Sequence, residues 1–240
     1  MLLLIVPLSP HKRISQVSES CIKQALIEVF QQWGQPKSIK VDNGKPIGDP
    51  QRKSIPQLAL WLTGLGIEVI FNRPRRPTDN AVVERMQQTT RNWAEVKTAA
   101  NLQQLKQRLE QVRRIQRQLY PVPRLGGKTR IETFPQLLQK TKVYCPVRFD
   151  TNRVYQKLSQ FTFVRFVSAA GQFILYNQIY YLTLQHKKQY VIIKFDPDQI
   201  LWHVYDDNNN FIDALPAINL EHKHFISLTV CQRTFKKDRT

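Results

Sequence analysis

An α/β first part followed by a small all-β barrel is the fold class this sequence predicts, on three observations. Residues 18–71 alternate helical and strand periods, the order expected of a parallel sheet with crossover helices. Residues 161–205 change to short β-rich runs separated by turn residues, which implies a small barrel. Between them, Pro121, Pro123, Gly126, Gly127, Pro135 and Pro146 punctuate a connector with at most one short helix near 133–140. The expected division is therefore a first domain over 1–119, a basic connector over 120–147 and a small β domain over 148–240.

Each element follows from a local pattern. Residues 2–8 form an apolar run broken by Pro7, too short to span a bilayer and without the basic leader of a signal peptide, so a buried strand is expected. Over 18–33, Ile22, Ala25, Leu26, Val29 and Phe30 recur at helical spacing until Gly34 stops the helix. A strand over 38–41 runs into the turn residues Asp42, Asn43 and Gly44. A helix over 55–65 ends at Gly66, and 68–71 returns as a strand. After a proline-bearing loop, Asp79 or Asn80 can cap a helix running to about Lys97, with Val83, Met86, Thr90 and Trp93 facing the core. A second long helix over 102–119 carries an apolar seam at Leu102, Leu105, Leu109, Val112, Ile115 and Leu119. In the last part, strands are expected at 161–167, 172–175, 179–184, 189–195 and 200–205, with Tyr180, Tyr181, Trp202 and Tyr205 as core and cross-strand residues.

Charge narrows the function. Thirty-six Lys and Arg against 18 Asp and Glu leave a formal charge of +18, a field that attracts polyanions. Residues 1–150 hold 25 basic and 11 acidic side chains, net +14, and 151–240 hold 11 and 7, net +4, so the polyanion site is expected in the first part. Nucleic acid is preferred to an anionic membrane or to a basic surface serving solubility alone. Three cysteines without a CxxC pair give neither a disulfide framework nor a zinc ribbon, and imply reduced thiols in a cytosol.

Asp42 sits where a parallel strand delivers its carboxyl end, the usual ligand position of open α/β sheets, and Asn43-Gly44 lets the chain turn beneath it. Glu84 lies one turn inside a helix that begins directly after a Pro-rich loop. Arg73, Arg75 and Arg76 precede that helix, Lys45 follows the Asp42 turn, and Gln88 and Arg91 share a helix face with Glu84. Farther on, Lys106, Arg108, Arg113, Arg114 and Arg117 lie off the apolar seam, and Arg124, Lys128 and Arg130 continue the charge.

The stretches VDNGKPIGDP, LALWLTGLGIEVIFNRPRRPTDNAVVERMQQTTRNWAEV and LEQVRRIQRQLYP with GGKTRIETFPQLL together resemble the catalytic core of bacterial insertion-sequence transposases that share the integrase fold. The likeness covers about residues 2–138. It implies a ribonuclease-H-like core and, after it, an SH3-like barrel. It also implies an Asp-Asp-Glu set in which Asp42 matches the second carboxylate and Glu84 the third, both ligands of a pair of Mg²⁺ or Mn²⁺ ions. Two such ions, about 4 Å apart, suit phosphoryl transfer, because they polarise the phosphate, activate the nucleophile and stabilise the leaving oxygen. The partners implied are double-stranded DNA, both element ends and target, and a second copy or a full-length transposase, without a membrane. The setting implied is a bacterial cytoplasm, associated with the nucleoid. Lys45, Arg73, Arg75, Arg76, Gln88, Arg91, Arg113 and Arg117 become candidate DNA contacts.

The pattern departs from the family at one point. Residues 1–41 contain only Glu19 and Glu28 as acids, both inside the first helix, and Asp49 and Asp79 lie in loops that do not match the missing strand position. The resemblance therefore implies a core that begins after its first two strands, without the amino-terminal helix-turn-helix, and a chain inactive by itself. The rival expectation is a non-catalytic basic DNA-binding protein that regulates or competes with full-length transposase. A ribonuclease-H-like nuclease of another kind is disfavoured by the Pro-Thr-Asp-Asn approach to Glu84.

Overall fold

In a computed structural model of the chain, residues 19–41, 44, 47–49, 53–73, 78, 81–139 and 142–226 are described. In chain order the elements are α1 (Glu19–Trp33), β1 (Ser38–Val41), α2 (Gln57–Gly64), β2 (Glu68–Phe71), α3 (Ala81–Trp93), α4 (Leu102–Arg114), α5 (Arg130–Thr133) and α6 (Thr151–Ser159), then β3 (Thr162–Phe166), β4 (Gln172–Leu175), β5 (Gln178–Tyr181), β6 (Tyr190–Asp196), β7 (Leu201–Tyr205), β8 (Phe211–Pro216) and α7 (His222–Ile226). The strand expected at 2–8 and the cap expected at Asp79 or Asn80 lie outside the described residues. Contacts gather the chain into two compact units, Met1–Ile39 with Asn72–Tyr144 and Lys40–Phe71 with Cys145–Thr240.

The first unit is helical. Along α1, Ile22, Leu26 and Phe30 are buried, and Gly34 takes φ 88°, returning its N–H to the Phe30 carbonyl at 2.9 Å. Only a residue without a Cβ adopts that left-handed stop without strain. Lys23 is buried on the same helix, and desolvation of its ammonium lowers its pKa to about 8. Because the folded pKa lies below the unfolded one, the unfolded chain holds more protons between the two values. Stability should therefore rise as pH climbs from about 8 to 10.5. Urea melts across that window are expected to show the rise, and Lys23→Met should remove it; a slope unchanged in the variant would assign it to another group.

In α4, the Asn101 side chain caps the first turn by accepting the Gln104 N–H at 2.9 Å, and Leu105, Leu109 and Val112 pack with Ala94. The seam expected to continue to Leu119 does not. Residues 115–119 form a π-helical turn closed by the Tyr120 N–H on the Ile115 carbonyl at 2.8 Å. One extra residue in the turn rotates the phase, so Gln116 is buried while Leu119 is 62% exposed. Leu102, at the other end, is also exposed. The buried Gln116 amide donates to Thr90 Oγ1 at 3.0 Å, and Thr90 Oγ1 donates to the Met86 carbonyl at 2.8 Å. Thr90 thus faces the interior of its unit as expected, whereas Trp93 is 41% exposed.

β1 and β2 pair as a two-stranded sheet, of which β2 and the end of β1 from Lys40 belong to the second unit. The helix α2 is apolar almost all round, with Leu58, Ala59, Leu60, Trp61 and Leu62 buried, the composition of a helix covered by neighbours. Gly64 meets the Phe149 ring where any side chain would collide, and its carbonyl accepts the Asp150 N–H at 2.9 Å. That seats α2 against α6. Tyr176 donates its hydroxyl to the Ile55 carbonyl at 3.0 Å, and Arg165 reaches the Lys53 and Ile174 carbonyls, each at 3.0 Å.

Four strands form an antiparallel sheet in the order β3-β6-β7-β8, and β4-β5 form a separate hairpin. The hairpin turns at Tyr176 and Asn177, both with positive φ, as a two-residue turn with the strand-matching twist requires. Period-two alternation buries Phe163, Val191, Ile193, Phe195, Trp202 and Val204 with Val154 and Leu158 of α6. Among the described residues these pairings do not close a barrel, and there are six strands after residue 160, not the five expected. The sixth, β8, pairs with β7 across a bulge at Val204/Tyr205. Tyr180 and Trp202 are core residues as expected, but Tyr181 is 63% exposed, because its neighbour Tyr180 takes the inward side of the pleat. Among the described residues no helix is long and apolar enough to cross a membrane.

Candidate nucleic-acid interface

The helix α3 places Glu84 in its first turn and Gln88 and Arg91 four and seven residues on, all exposed. They share one face because i, i+4 and i+7 fall within a narrow arc of a 3.6-residue helix, and Thr90 holds the opposite face inward. Gln88 Nε2 donates to Asn92 Oδ1 at 2.8 Å, which orients its amide along the helix. The Arg73 side chain, two residues past β2, is exposed.

The structure distinguishes the cations beyond α3 from one another. Arg117 lies with its guanidinium carbon 3.7 Å from the centre of the Trp33 ring, half buried. Burial and the adjacent Arg113 charge lower its pKa, against the opposing pull of Glu110. Arg113 pairs with Glu110 at 3.3 Å. Arg108 spans Thr98 Oγ1 at 2.8 Å and the Glu95 carbonyl at 3.1 Å, which makes it a brace between α4 and the segment after α3. Arg130 donates to the Gln116 carbonyl, fastening α5 to the π-turn. Lys106, Arg114, Arg124 and Lys128 are exposed. The seam-avoiding cations foreseen from the sequence therefore divide into structural braces and an exposed remainder.

Asp42, Lys45, Arg75 and Arg76 lie outside the described residues, so the expected approach of Asp42 to Glu84 falls there too. Among the described residues no group of three or more His, Cys, Asp or Glu is placed to hold a metal ion. Glu84 alone of the expected pair is described. Its exposed carboxylate is a hard oxygen donor of the kind Mg²⁺ takes. Cys145 is a free, part-buried thiol.

Two aromatic features escaped the sequence reading. Trp93 and Tyr120 form an edge-to-face pair with centroids 5.3 Å apart and are both 41% exposed. On the sheet, Phe166, Tyr190 and Phe211 stand at outward positions. Alternation along β3 and β6 was the signal available for the first two; β8 was not foreseen as a strand, so Phe211 had none.

Residues 65–117 match the family model described as integrase core domain. The match spans β2, the Arg73 loop, α3 and α4. It includes Glu84 and every candidate contact from Arg73 to Arg117, and stops short of Asp42 and Lys45. It supports an integrase-type core over that stretch.

Proposed function

We propose that the chain acts on double-stranded DNA as part of a transposase-type or integrase-type strand transferase. The observation that carries this reading is the integrase-core match over 65–117, centred on a helix that presents Glu84, Gln88 and Arg91 on one exposed face. In this reading Asp42 and Glu84 are two carboxylates of an Asp-Asp-Glu set. Two Mg²⁺ or Mn²⁺ ions held there supply Lewis-acid activation of water or a 3′-hydroxyl. Arg73, Arg75, Arg76 and Lys45 engage phosphates beside the cut, Gln88 and Arg91 orient the strand along α3, and Arg113 holds the flanking backbone. Arg117, packed on Trp33, adds its charge to the positive field of the same stretch. The insertion-sequence type, the ribonuclease-H-like topology of the core, an SH3-like kinship for the β-rich part and association with a second copy belong to the same proposal, as does a bacterial, nucleoid-associated setting.

A second reading is a basic protein that occupies transposase sites on DNA without cutting them, which the formal charge of +18 supports equally.

Both readings require duplex binding through phosphates. With about six contacts, log K against log salt is expected to fall with a slope of about −5 in a fluorescence-anisotropy titration. Arg73→Ala and Arg91→Ala are each expected to make the slope shallower by about one unit, uniformly across sequences. Salt-independent binding, or no binding at low salt, removes the polyanion reading altogether.

A further inference from the structure

We propose that Arg165 and Tyr176 of the β-rich part are positioning residues for the loop that carries Asp42, so that this part of the chain sets how firmly a metal ion is held there. The inference deepens the proposed function and rests on its assignment of Asp42 as a metal ligand. A run of contacts links the two places. Gly44 stands two positions after Asp42 in the sequence, and its carbonyl accepts the Gly48 N–H at 2.8 Å. The next residue, Asp49, accepts the Lys53 and Ser54 N–H groups, each at 2.9 Å, and the Ser54 hydroxyl at 3.0 Å. The loop is thus bound to itself from Gly44 to Ser54, and its far end is bound to the β-rich part. The Lys53 carbonyl accepts from Arg165 Nη1 and the Ile55 carbonyl from the Tyr176 hydroxyl, each at 3.0 Å. These partners lie 112 and 121 positions apart along the chain, so the bonds close only once the β-rich part has folded. Loop and partners belong to the same compact unit.

Both side chains are held more closely than packing alone requires. Arg165 Nε donates to the Ile174 carbonyl at 3.0 Å, and Nη1 also reaches the Val164 carbonyl at 2.9 Å, so one guanidinium ties β3, β4 and the loop together. Burial lowers its pKa, and Tyr176 and the Asp49 carboxylate work against that lowering, which sets Asp49 within its field. Tyr176 takes φ 49° in the β4–β5 turn, where Asn, Asp or Gly is usual and a bulky residue is strained. Its surroundings hold the strain: the ring stacks on Trp202 with centroids 6.0 Å apart and meets Phe163 edge-on at 5.9 Å. That packing aims the hydroxyl at Ile55, and burial pushes its pKa up, so it stays a donor. A metal ligand whose supporting shell is fixed loses less freedom on binding, which raises affinity.

The test uses the full chain with Mn²⁺ alone as the probe, binding being read by electron paramagnetic resonance and loop order by amide hydrogen exchange over 44–55. Tyr176→Phe keeps the ring stack and removes only the hydroxyl. Arg165→Lys keeps the charge and removes the fork, and it tests the same link independently should Tyr176→Phe fold poorly. Each is expected to weaken Mn²⁺ binding by about threefold or more, below the roughly 10–100-fold that an immediate partner of a metal ligand contributes. Exchange over 44–55 should quicken in the same variants. Tyr180→Phe is the control, because the Tyr180 hydroxyl accepts the Trp202 indole N–H at 3.1 Å and the Ile218 N–H at 3.4 Å instead of serving the loop. It should leave Mn²⁺ affinity and loop exchange as they are. Unchanged Mn²⁺ affinity in both Arg165→Lys and Tyr176→Phe, with Asp42→Asn lowering it, overturns this inference alone. So does an equal loss in Tyr180→Phe, which would make the effect a general loosening of the β-rich part. Absent Mn²⁺ binding, or binding that Asp42→Asn leaves unchanged, overturns the assignment of Asp42 and this inference with it.

Discussion

Asp42→Asn and Glu84→Gln are each expected to lower Mg²⁺-dependent strand cleavage by at least about a hundredfold while leaving duplex affinity within about twofold. Both substitutions keep shape and hydrogen bonding and remove the charge a hard cation requires. Loss of even an outer partner of a metal ligand costs about 10–100-fold, so loss of a ligand itself should cost no less. Glu84 is exposed, so its replacement carries no packing penalty and the loss is chemical. Mg²⁺-dependent cleavage that survives Asp42→Asn would move the active site elsewhere. A protein that binds DNA and never cuts it would favour the non-catalytic reading.

The largest stability effect is expected at Trp202. Its side chain is 1% exposed, ringed by Phe163 at 5.4 Å and Phe195 at 5.0 Å, with its indole N–H donated to the Tyr180 hydroxyl at 3.1 Å. Trp202→Ala empties the middle of the sheet's core and should cost about 3–5 kcal/mol, a large share of the roughly 5–15 kcal/mol available to a domain. Trp202→Phe keeps most of the ring volume and loses only the hydrogen bond, for about 1–2 kcal/mol. Urea unfolding followed by circular dichroism should separate the two. A shift below about 1 kcal/mol for the alanine variant would mean that the cluster around Phe163 and Phe195 closes over the gap.

Local periodicity was enough for several elements. Ser38–Val41, Glu68–Phe71 and Gln172–Leu175 occupy the positions their alternation and turn residues mark, and α1 ends where Gly34 demands. Other elements have no sufficient local signal. In α6 only Val154 and Leu158 are buried, so its stability comes from the surface it covers, although the Asp150 cap was available to be seen. In β8, Asp213 and Pro216 look like turn residues, and pairing with β7 overrides that tendency. The π-turn at 115–119 accompanies a hydrogen bond from Gln116 to Thr90, 26 positions away, which no window along the chain contains.

For function, the sequence by itself determined the polyanion field, the shared helix face of Glu84, Gln88 and Arg91, and the pattern that matches an integrase core over 65–117. Those are properties of charge and of helical period, which act over a few residues and survive any tertiary arrangement. The tertiary structure decided which cations remain at the surface and which become braces, as when Arg117 packs on Trp33 and Arg108 on the Glu95–Thr98 segment. It also decided that Phe166, Tyr190 and Phe211 lie outward on neighbouring strands. The reason is register: a slip of one residue in an antiparallel pair exchanges the two faces of a strand, so what the sheet shows to solvent exists only once β3, β6, β7 and β8 have paired.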